Sequence, residues 1–302
     1  SSSRYYLEIP VHEVEASELL SEADLLIIMG SQFDGMNTKN WTVKLPPKVA
    51  VIDAAPGLIE RNVRVDLVLK IDLNGTFSKD LFAEPHLKEM SEKEEWVNVI
   101  AINQKARARI STTLEGRSGM ALVNAIEQGW PDEGRIVLDM CIAGYWSGGY
   151  LRSKRARRIA YPVGWGTLGF ALPASIGTAI DGTPTLVVVG DGGIAFALAE
   201  LATLVQQSLP VTILLHDDGG YGMLRYDQKV MNAPERGVGL LNPKWELLTQ
   251  SYGISFKETN LESLATDLAT SKEFEGPNLL LLREPLLPPR TTSPRWKESQ
   301  PN

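Results

Sequence analysis

Short apolar runs alternate with longer amphipathic stretches over most of the second half of this chain. Apolar runs of this length predict buried strands, and the amphipathic stretches predict the helices that cover them. We expect strands at residues 135–139, 185–189, 211–216 and 278–282, and helices at residues 118–128, 168–180, 195–207, 245–253 and 261–271. Ser118 is the expected N-cap of the first helix. Strands that alternate with helices predict an α/β fold with a doubly wound parallel sheet.

The first part of the chain shows a shorter version of the same pattern. Residues 23–30, 48–53 and 65–71 are continuous apolar runs, which predict three parallel strands in a sheet covered on both faces. A short helix is expected at residues 74–82. A charged, helical connector then follows, with Trp96, Val97 and Ile100 as its expected packing residues.

These patterns divide the chain into four parts. We expect a first α/β domain at residues 1–85, a connector at residues 86–115, a larger α/β domain at residues 116–285 and a tail at residues 286–302. The tail is polar and rich in proline, so we expect it either to be disordered or to lie as a strap over the surface.

The composition is typical of a soluble globular protein, with 43% hydrophobic and 22% charged residues among 302. The net charge of −7 disfavours nucleic-acid binding. No apolar run approaches the roughly 20 residues that span a membrane, and no secretory signal opens the sequence. Cys141 is the single cysteine, which excludes an intrachain disulfide and favours a cytoplasmic location. His12, His86 and His216 are too scattered to predict a zinc site.

Two acidic, glycine-rich segments carry the candidate chemistry. Residues 190–193 (Gly-Asp-Gly-Gly) follow one predicted strand, and residues 217–220 (Asp-Asp-Gly-Gly) follow the next. Because the crossover between parallel strands is right-handed, both segments are expected at the same edge of the sheet. On neighbouring strands they would start roughly 5 Å apart. The carboxylates of Asp191 and Asp218, together with glycine amides, suit a hard cation bridged to a diphosphate.

This spaced motif resembles the diphosphate-binding motif of thiamine diphosphate (ThDP) enzymes, in which Gly-Asp-Gly is followed at this spacing by Asn-Asn. The resemblance includes residues 164–174 and extends over about residues 15–285, and it is strongest to the acetolactate synthase and 2-oxo acid decarboxylase branch. It implies a ThDP diphosphate-domain fold preceded by a partial Rossmann-like middle domain. Asp218 stands where the family has asparagine.

The resemblance implies ThDP and Mg²⁺ as cofactors. Asp191 and Asp218 would bind Mg²⁺ through their side chains and Gly220 through its carbonyl oxygen, with diphosphate oxygens and a water completing the octahedron. The extra carboxylate would weaken anchoring or shift the metal preference toward Mn²⁺ or Ca²⁺. An N-cap is the alternative role for Asp191, and Asp217 is expected to cap a turn. The residues implied to contact the diphosphate are Gly190, Gly192, Gly193, Tyr221 and Gly222.

Two further regions are implied to contact the cofactor. The Gly166 carbonyl would accept a hydrogen bond from the 4′-amino group of ThDP, and Leu168 would support the bent form of the cofactor, which makes proximity catalysis possible. A place in the helix core is the alternative for Leu168. Ala143, Gly144 and Tyr145, in a predicted loop, are candidates for the diphosphate and the substrate entrance, with a plain surface loop as the alternative.

The substrate residues are less defined by this resemblance. Met223 matches a cofactor-side methionine of acetohydroxyacid synthases, but Asp227 stands where those enzymes carry tryptophan. This departure weighs against acetolactate synthesis itself. Arg225 and Tyr226 are candidates to meet a substrate carboxylate, although exposed loop residues are the favoured interpretation.

The family also has an N-terminal domain that binds the pyrimidine of ThDP and supplies an activating glutamate, and neither is matched in this sequence. The resemblance therefore implies an enzyme that decarboxylates or ligates a 2-oxo acid, with a pyrimidine-binding domain or subunit acting in trans. A homodimer or larger oligomer is expected, because the family's site lies between subunits. The isolated chain is expected to be inactive.

Two other interpretations stay open. The glycines at 164, 166 and 169 match the dinucleotide fingerprint, with Asp191 about 20 residues on, which would indicate an NAD-dependent dehydrogenase. The weak strand pattern at residues 157–163 and the glycines around Asp191 disfavour this interpretation. The second is a non-catalytic ThDP-binding subunit.

Overall fold

The computed structural model describes residues 5–73 and 97–290. These residues divide into two compact units. We call residues 5–73 and 97–106 the N-terminal unit, and Arg107–Arg290 the C-terminal unit. The helix expected at residues 74–82, and Trp96, lie outside the described residues.

The N-terminal unit contains a parallel sheet in the order β1-β2-β3. Its elements are α1 (Val14–Glu22), β1 (Leu25–Met29), β2 (Lys48–Asp53), a 3-10 turn (Pro56–Leu58) and β3 (Leu67–Lys70). All three predicted strands are confirmed, the first and third with shorter ends. Ile28 and Val51 are buried, whereas Leu25, Ile27 and Met29 are 47–49% exposed. The expectation of a sheet covered on both faces is therefore wrong for β1 within the described residues, because only alternate side chains enter the core there.

The connector contains a helix, α2 (Val99–Thr112), as expected for its described part. The expected packing residues Val97 and Ile100 are exposed instead, and Asn103 and Ala106 are buried. Val97 precedes the helix, and Ile100 lies in its first turn, where Val99 is the buried apolar residue instead.

The C-terminal unit contains a six-stranded parallel sheet in the order β5-β4-β6-β7-β9-β8. The strands are β4 (Arg135–Leu138), β5 (Ile159–Ala160), β6 (Thr185–Gly190), β7 (Val211–His216), β8 (Ser255–Thr259) and β9 (Asn278–Leu282). The helices are α3 (Leu114–Gly129), α4 (Ile142–Tyr150), α5 (Ala171–Ala179), α6 (Asp191–Ile194), α7 (Glu200–Gln206), α8 (Gly222–Val230), α9 (Trp245–Tyr252) and α10 (Leu264–Ser271).

Helices cover this sheet on both faces, as the predicted doubly wound fold requires. Every residue of β6 and β7 is buried. Leu186 and Val188 point into a core shared with α3, α4 and α10, whereas Val187 and Val189 point into a core shared with α5, α7 and α9. Each fully buried side chain of this kind contributes about 1.5–3 kcal/mol. The two central strands are thus held rigidly, and their carboxyl ends are fixed relative to each other.

Several predicted boundaries in this unit are wrong. Helix α3 begins at Leu114, and its N-cap is Thr113, whose hydroxyl accepts from the Gly116 amide, so Ser118 lies within the helix. Of the helix expected at residues 195–207, only Glu200–Gln206 is helical, as α7, and residues 195–199 form turns. Strand β8 was not predicted, because an edge strand with mostly exposed, polar side chains lacks the apolar run of a central one.

The beginning of the tail packs against the C-terminal unit. Leu286 is buried in the core with α3 and α4, and the Leu287 carbonyl accepts a hydrogen bond from the Trp146 indole at 2.7 Å. Of the two expectations for the tail, a strap over the surface is therefore confirmed for residues 286–290. The rest of the tail lies outside the described residues. Within the described ranges, none of the helices has the length and apolar character needed to cross a membrane.

Candidate cofactor site

A cavity of about 170 Å³ lies at the carboxyl edge of the C-terminal sheet, where β6 and β7 end. Gly190 pairs in register with His216, so the segments that follow the two strands begin side by side. The prediction that these strands are neighbours is confirmed. The residues lining the cavity are Met140, Cys141, Ile142, Tyr145, Gly166, Leu168, Gly190, Asp191, Gly192, Gly193, Asp218, Gly220, Tyr221, Gly222, Met223 and Leu224.

Asp191 is the first residue of α6 and is almost completely buried. Its Oδ2 accepts a hydrogen bond from the Asn242 side-chain amide at 2.5 Å. Burial raises the pKa of this carboxyl, while the Asn242 amide and the backbone amide of Gly192 oppose the rise. Gly190 is the N-cap of α6 and no side-chain cap is made there, so the N-cap alternative for Asp191 is wrong.

Asp218 lies on the loop after β7 and faces the same cavity. Its Oδ1 is buried without a hydrogen-bond partner. Burial and then the nearby charge of Asp191 raise the pKa of Asp218 to about 6, although Arg225 opposes the shift. Burial raises the pKa of both carboxyls, and one oxygen of Asp218 is buried without a hydrogen bond, so a cation would stabilise the charge of this site.

Backbone pairing holds the loop that carries Asp218. The Tyr221 amide donates to the Val238 carbonyl at 2.8 Å, and the Leu240 amide donates to the Gly219 carbonyl at 3.0 Å. Gly220 lies between these bonds with φ +146°, and a side chain there would overlap the Val238 carbonyl. Only glycine therefore allows the close approach of these two segments.

Asp217 anchors the base of the same loop. Its Oδ1 accepts from the Gly219 amide at 3.3 Å, so the predicted turn cap is confirmed. The same carboxylate also accepts from the side chains of Asn242 at 2.7 Å, Trp245 at 2.9 Å and Arg283 at 3.3 Å. These donors together outweigh burial and lower the pKa of Asp217, which keeps this carboxylate charged.

The turn at residues 164–169 forms another wall of the cavity. Gly166 has φ +63°, and Leu168 precedes α5 rather than lying in it, so the helix-core alternative for Leu168 is wrong. The turn is tied to the sheet by Asp139, a buried residue directly after β4. Its carboxylate accepts from the amides of Gly169 at 3.2 Å and Ala171 at 2.8 Å.

Residues 140–145 do not form the expected loop. Cys141 is the N-cap of α4, and Ala143, Gly144 and Tyr145 lie in the first turns of that helix. Tyr145 lines the cavity, where burial raises its pKa to about 12. Ala143 and Gly144 are buried and are absent from the cavity lining.

Arg225 and Tyr226 lie on helix α8, so the interpretation as exposed loop residues is wrong. Both side chains are partly buried. The Arg225 guanidinium donates to the carbonyls of Asp218 and Gly219, so it contacts the loop that bears the candidate metal ligand. Asp227 lies on the same helix, and its charge contributes to the raised pKa of Tyr145.

The sequence did not predict the site residue Asn242 or the role of Asp139. Asp139 could have been found, because it is a polar residue directly after a buried strand, and ligands of parallel sheets bind at the carboxyl ends of the strands. Asn242 lies on a segment without motif, and its partner Asp191 is 51 residues away, so no local pattern pointed to it.

The cavity fits a cation bound to a diphosphate. Within the ranges described, no group of three or more His, Cys, Asp or Glu side chains is placed to hold a metal ion. A cation held by Asp191 and Asp218 would therefore need backbone and ligand oxygens, as Mg²⁺ commonly has when bound to phosphates. Asp218 Oδ1, which has no hydrogen bond, provides a charged group at one end of the cavity. The wall beside it has no side chains, because it is formed by the glycines at 190, 192 and 193.

The dinucleotide interpretation has little structural support. Strand β5, which precedes the glycines of residues 164–169, has only two residues and lies at the edge of the sheet. The glycines form a turn and the next helix begins only at Ala171. A dinucleotide fingerprint requires the glycine turn to open a helix directly after a full strand.

Comparisons with known proteins agree with the geometry. Residues 139–281 match the family model described as thiamine pyrophosphate enzyme, C-terminal TPP binding domain. A probable 2-ketoarginine decarboxylase of Pseudomonas aeruginosa is 28% identical over 275 residues, which are 88% of this chain and 48% of that protein. The acetolactate synthase large subunit of Lactococcus lactis is 28% identical over 271 residues, 86% of this chain and 46% of that protein. The large subunit of acetolactate synthase isozyme 2 of Escherichia coli is 25% identical over 285 residues, 91% of this chain and 51% of that protein.

The fold and the matched residues define the C-terminal unit as a ThDP-binding domain of the α/β class. Over most of its length the chain is similar to ThDP-dependent acetolactate synthases and 2-oxo acid decarboxylases. It spans about half the length of the curated relatives that it matches.

Proposed function

We propose that this chain binds the diphosphate end of ThDP together with Mg²⁺, and takes part in the decarboxylation of a 2-oxo acid or in its carboligation. The main support is the convergence of Asp191 and Asp218 on one glycine-walled cavity, with a buried Asp218 oxygen that has no hydrogen bond. ThDP, when bound, supplies the carbanion chemistry and the electron sink.

In this proposal the two segments at the carboxyl ends of β6 and β7 hold the charged groups. Asp191 and Asp218 bind Mg²⁺ with their side chains, and Gly220 with its carbonyl oxygen. The backbone amides of the glycine segment 190–193, and the loop residues Tyr221 and Gly222, face the diphosphate. Asn242 fixes Oδ2 of Asp191, which leaves Oδ1 for the metal.

The remaining wall of the cavity positions the organic part of the cofactor. The Gly166 carbonyl would accept a hydrogen bond from the aminopyrimidine of ThDP. Leu168 would support the bent conformation of the cofactor. Met223, Met140 and Ile142 add apolar surface beside them. An apolar, partly closed wall excludes water, which strengthens the electrostatic contacts made inside it.

The aminopyrimidine end would be completed by a pyrimidine-binding domain other than the two units described here. Such a domain could belong to another part of the polypeptide or to a second subunit. We therefore propose a homodimer or larger oligomer as the active state. The 2-oxo acid and the fate of its decarboxylated carbon skeleton would depend on that partner surface as well.

Native mass spectrometry with ThDP, in Mg²⁺ or in EDTA, tests this proposal. We expect ThDP to be retained in Mg²⁺ and lost in EDTA, and the double variant Asp191→Ala/Asp218→Ala to retain none. Asp132→Ala is the matched control, because it removes an exposed carboxylate whose contact is an ion pair with Lys154. Equal retention by the double variant, or retention in EDTA, would contradict the proposed site.

The second candidate is a non-catalytic ThDP-binding subunit. Asp227, at the position where acetolactate synthases carry tryptophan, weighs against acetolactate synthesis and leaves this candidate open. Carbon dioxide release from a panel of 2-oxo acids, measured on the oligomer that retains ThDP, separates the two candidates. Retention without any release would support the non-catalytic subunit.

A further inference from the structure

Arg225 is held directly against the loop that carries Asp218. Its Nη1 donates to the Asp218 carbonyl at 2.9 Å, and its Nη2 donates to the Gly219 carbonyl at 3.0 Å. The same Nη1 lies 4.0 Å from Asp218 Oδ1, the buried oxygen without a hydrogen bond. The two carbonyl bonds hold the guanidinium beside the carboxylate.

The neighbouring carboxylates have different partners. Asp217 forms an ion pair with Arg283 and accepts from Asn242 and Trp245. Asp191 accepts from the neutral amide of Asn242. Among the described residues, Arg225 is the cation paired with Asp218. The other carboxylate near Arg225 is Glu235, whose Oε2 is 3.9 Å from Nε and whose side chain is 58% exposed. An exposed carboxylate competes weakly for a charge in this position.

We propose that Arg225 is a positioning residue that supplies the countercharge for Asp218. Under the proposed function, on which this inference rests, an uncompensated Asp218 would repel the diphosphate. The Asp218–Arg225 pair has no net charge, so it replaces a neutral side-chain ligand without changing the charge of the site. The carbonyl bonds of Arg225 serve to keep that charge in place.

The test is a double-mutant cycle on the dissociation constant of ThDP at saturating Mg²⁺, measured by calorimetry. We expect Arg225→Gln to weaken ThDP binding by about tenfold or more. In the Asp218→Asn background the same change should cost less than about threefold, because no charge is left to compensate. Lys229→Gln is the charge control, since it removes a cation one turn further along α8 and should have little effect.

If Arg225 only holds the loop in place through its carbonyl bonds, the double-mutant cycle should give a different result. Equal weakening by Arg225→Gln in both backgrounds would overturn the inference while leaving the proposed function intact. Absence of Mg²⁺-dependent ThDP binding by the wild type would overturn both. Arg225→Lys keeps the charge, although lysine cannot span both carbonyls. If the charge is what matters, the ThDP dissociation constant of this variant should stay within about threefold of that of the wild type. Should Arg225→Gln not fold, tenfold weaker binding by Arg225→Lys would overturn the countercharge role.

Discussion

Asn242 donates its side-chain amide both to Oδ2 of Asp191 at 2.5 Å and to Oδ1 of Asp217 at 2.7 Å. One amide group thus joins the segment after β6 to the segment after β7. Because the second hydrogen of an amide has a fixed direction relative to the first, the bridge sets the orientation of both carboxylates. This arrangement is typical of groups that orient the ligands of a metal.

We therefore expect Asn242→Ala to weaken Mg²⁺-dependent ThDP binding by about 10–100-fold, the usual effect of removing an orienting partner. Calorimetric titration of ThDP at fixed Mg²⁺ measures the change. The urea midpoint of the ligand-free variant is the control, because a large drop there would indicate unfolding. Unchanged ThDP affinity would show that Asp191 does not need this bridge.

Gly222 is required for the orientation of Asp218. A side chain at residue 222 would overlap Oδ2 of Asp218, so Gly222→Ala must displace the carboxylate. We expect at least about tenfold weaker ThDP binding from this displacement. The matched control is Gly177→Ala, where an added methyl group meets open space on α5 and should raise the free energy of unfolding by about 0.5–1 kcal/mol. Equal ThDP binding by both variants would contradict this role of Gly222.

Asp139 connects β4 with the turn that bears Gly166 and Leu168. Its buried carboxylate accepts from the amides of Met140, Gly169 and Ala171. Asp139→Asn keeps the shape but turns an amide toward backbone donors, so we expect the free energy of unfolding to fall by about 2–4 kcal/mol. Urea denaturation without ligand measures this, with Asp132→Asn as the exposed control. A loss below about 0.5 kcal/mol would mean that Asp139 does not hold the turn.

The burial of His12 predicts that the N-terminal unit loses stability in acid. Burial is the main cause that lowers the pKa of His12 from 6.5 to about 4, and Lys39 adds to it, while Glu13 and Asp34 oppose it. Unfolded His12 binds a proton as the pH falls through about 6.5, but the folded side chain does not until about 4, so stability is lost over this interval. We expect a loss of about 2 kcal/mol between pH 7.5 and 5.

The measurement is urea denaturation of the wild type and of His12→Phe at both pH values. The variant lacks the titrating group, so its stability should fall less over the same interval. Parallel losses in the two proteins would show that carboxylates elsewhere, and not His12, determine the acid sensitivity.

The local pattern was sufficient for the central strands but not for the edges. Strands β6, β7 and β9 are mainly apolar runs. A strand that is buried on both faces needs apolar side chains at successive positions, whichever segments pack against it. Strand β8 and the face of β1 depend on which segment lies beside them. Their exposure is therefore a property of the assembled unit, and the predictions there failed.

The sequence by itself determined the α/β class, the neighbouring strands that bring Asp191 and Asp218 to one edge, and the resemblance that predicted a diphosphate site. The fold class follows from short-range hydrophobic periodicity. The meeting of the two aspartates follows from their spacing along one crossover connection, whose handedness is restricted by chain geometry. Only the tertiary structure decided that Asn242 joins two carboxylates, that Arg225 faces Asp218, and that Asp139 holds the Gly166 turn. Each of these is a directional hydrogen bond or an ion pair made by a side chain whose partner is set by the fold, and hydrophobic periodicity carries no information about such pairs.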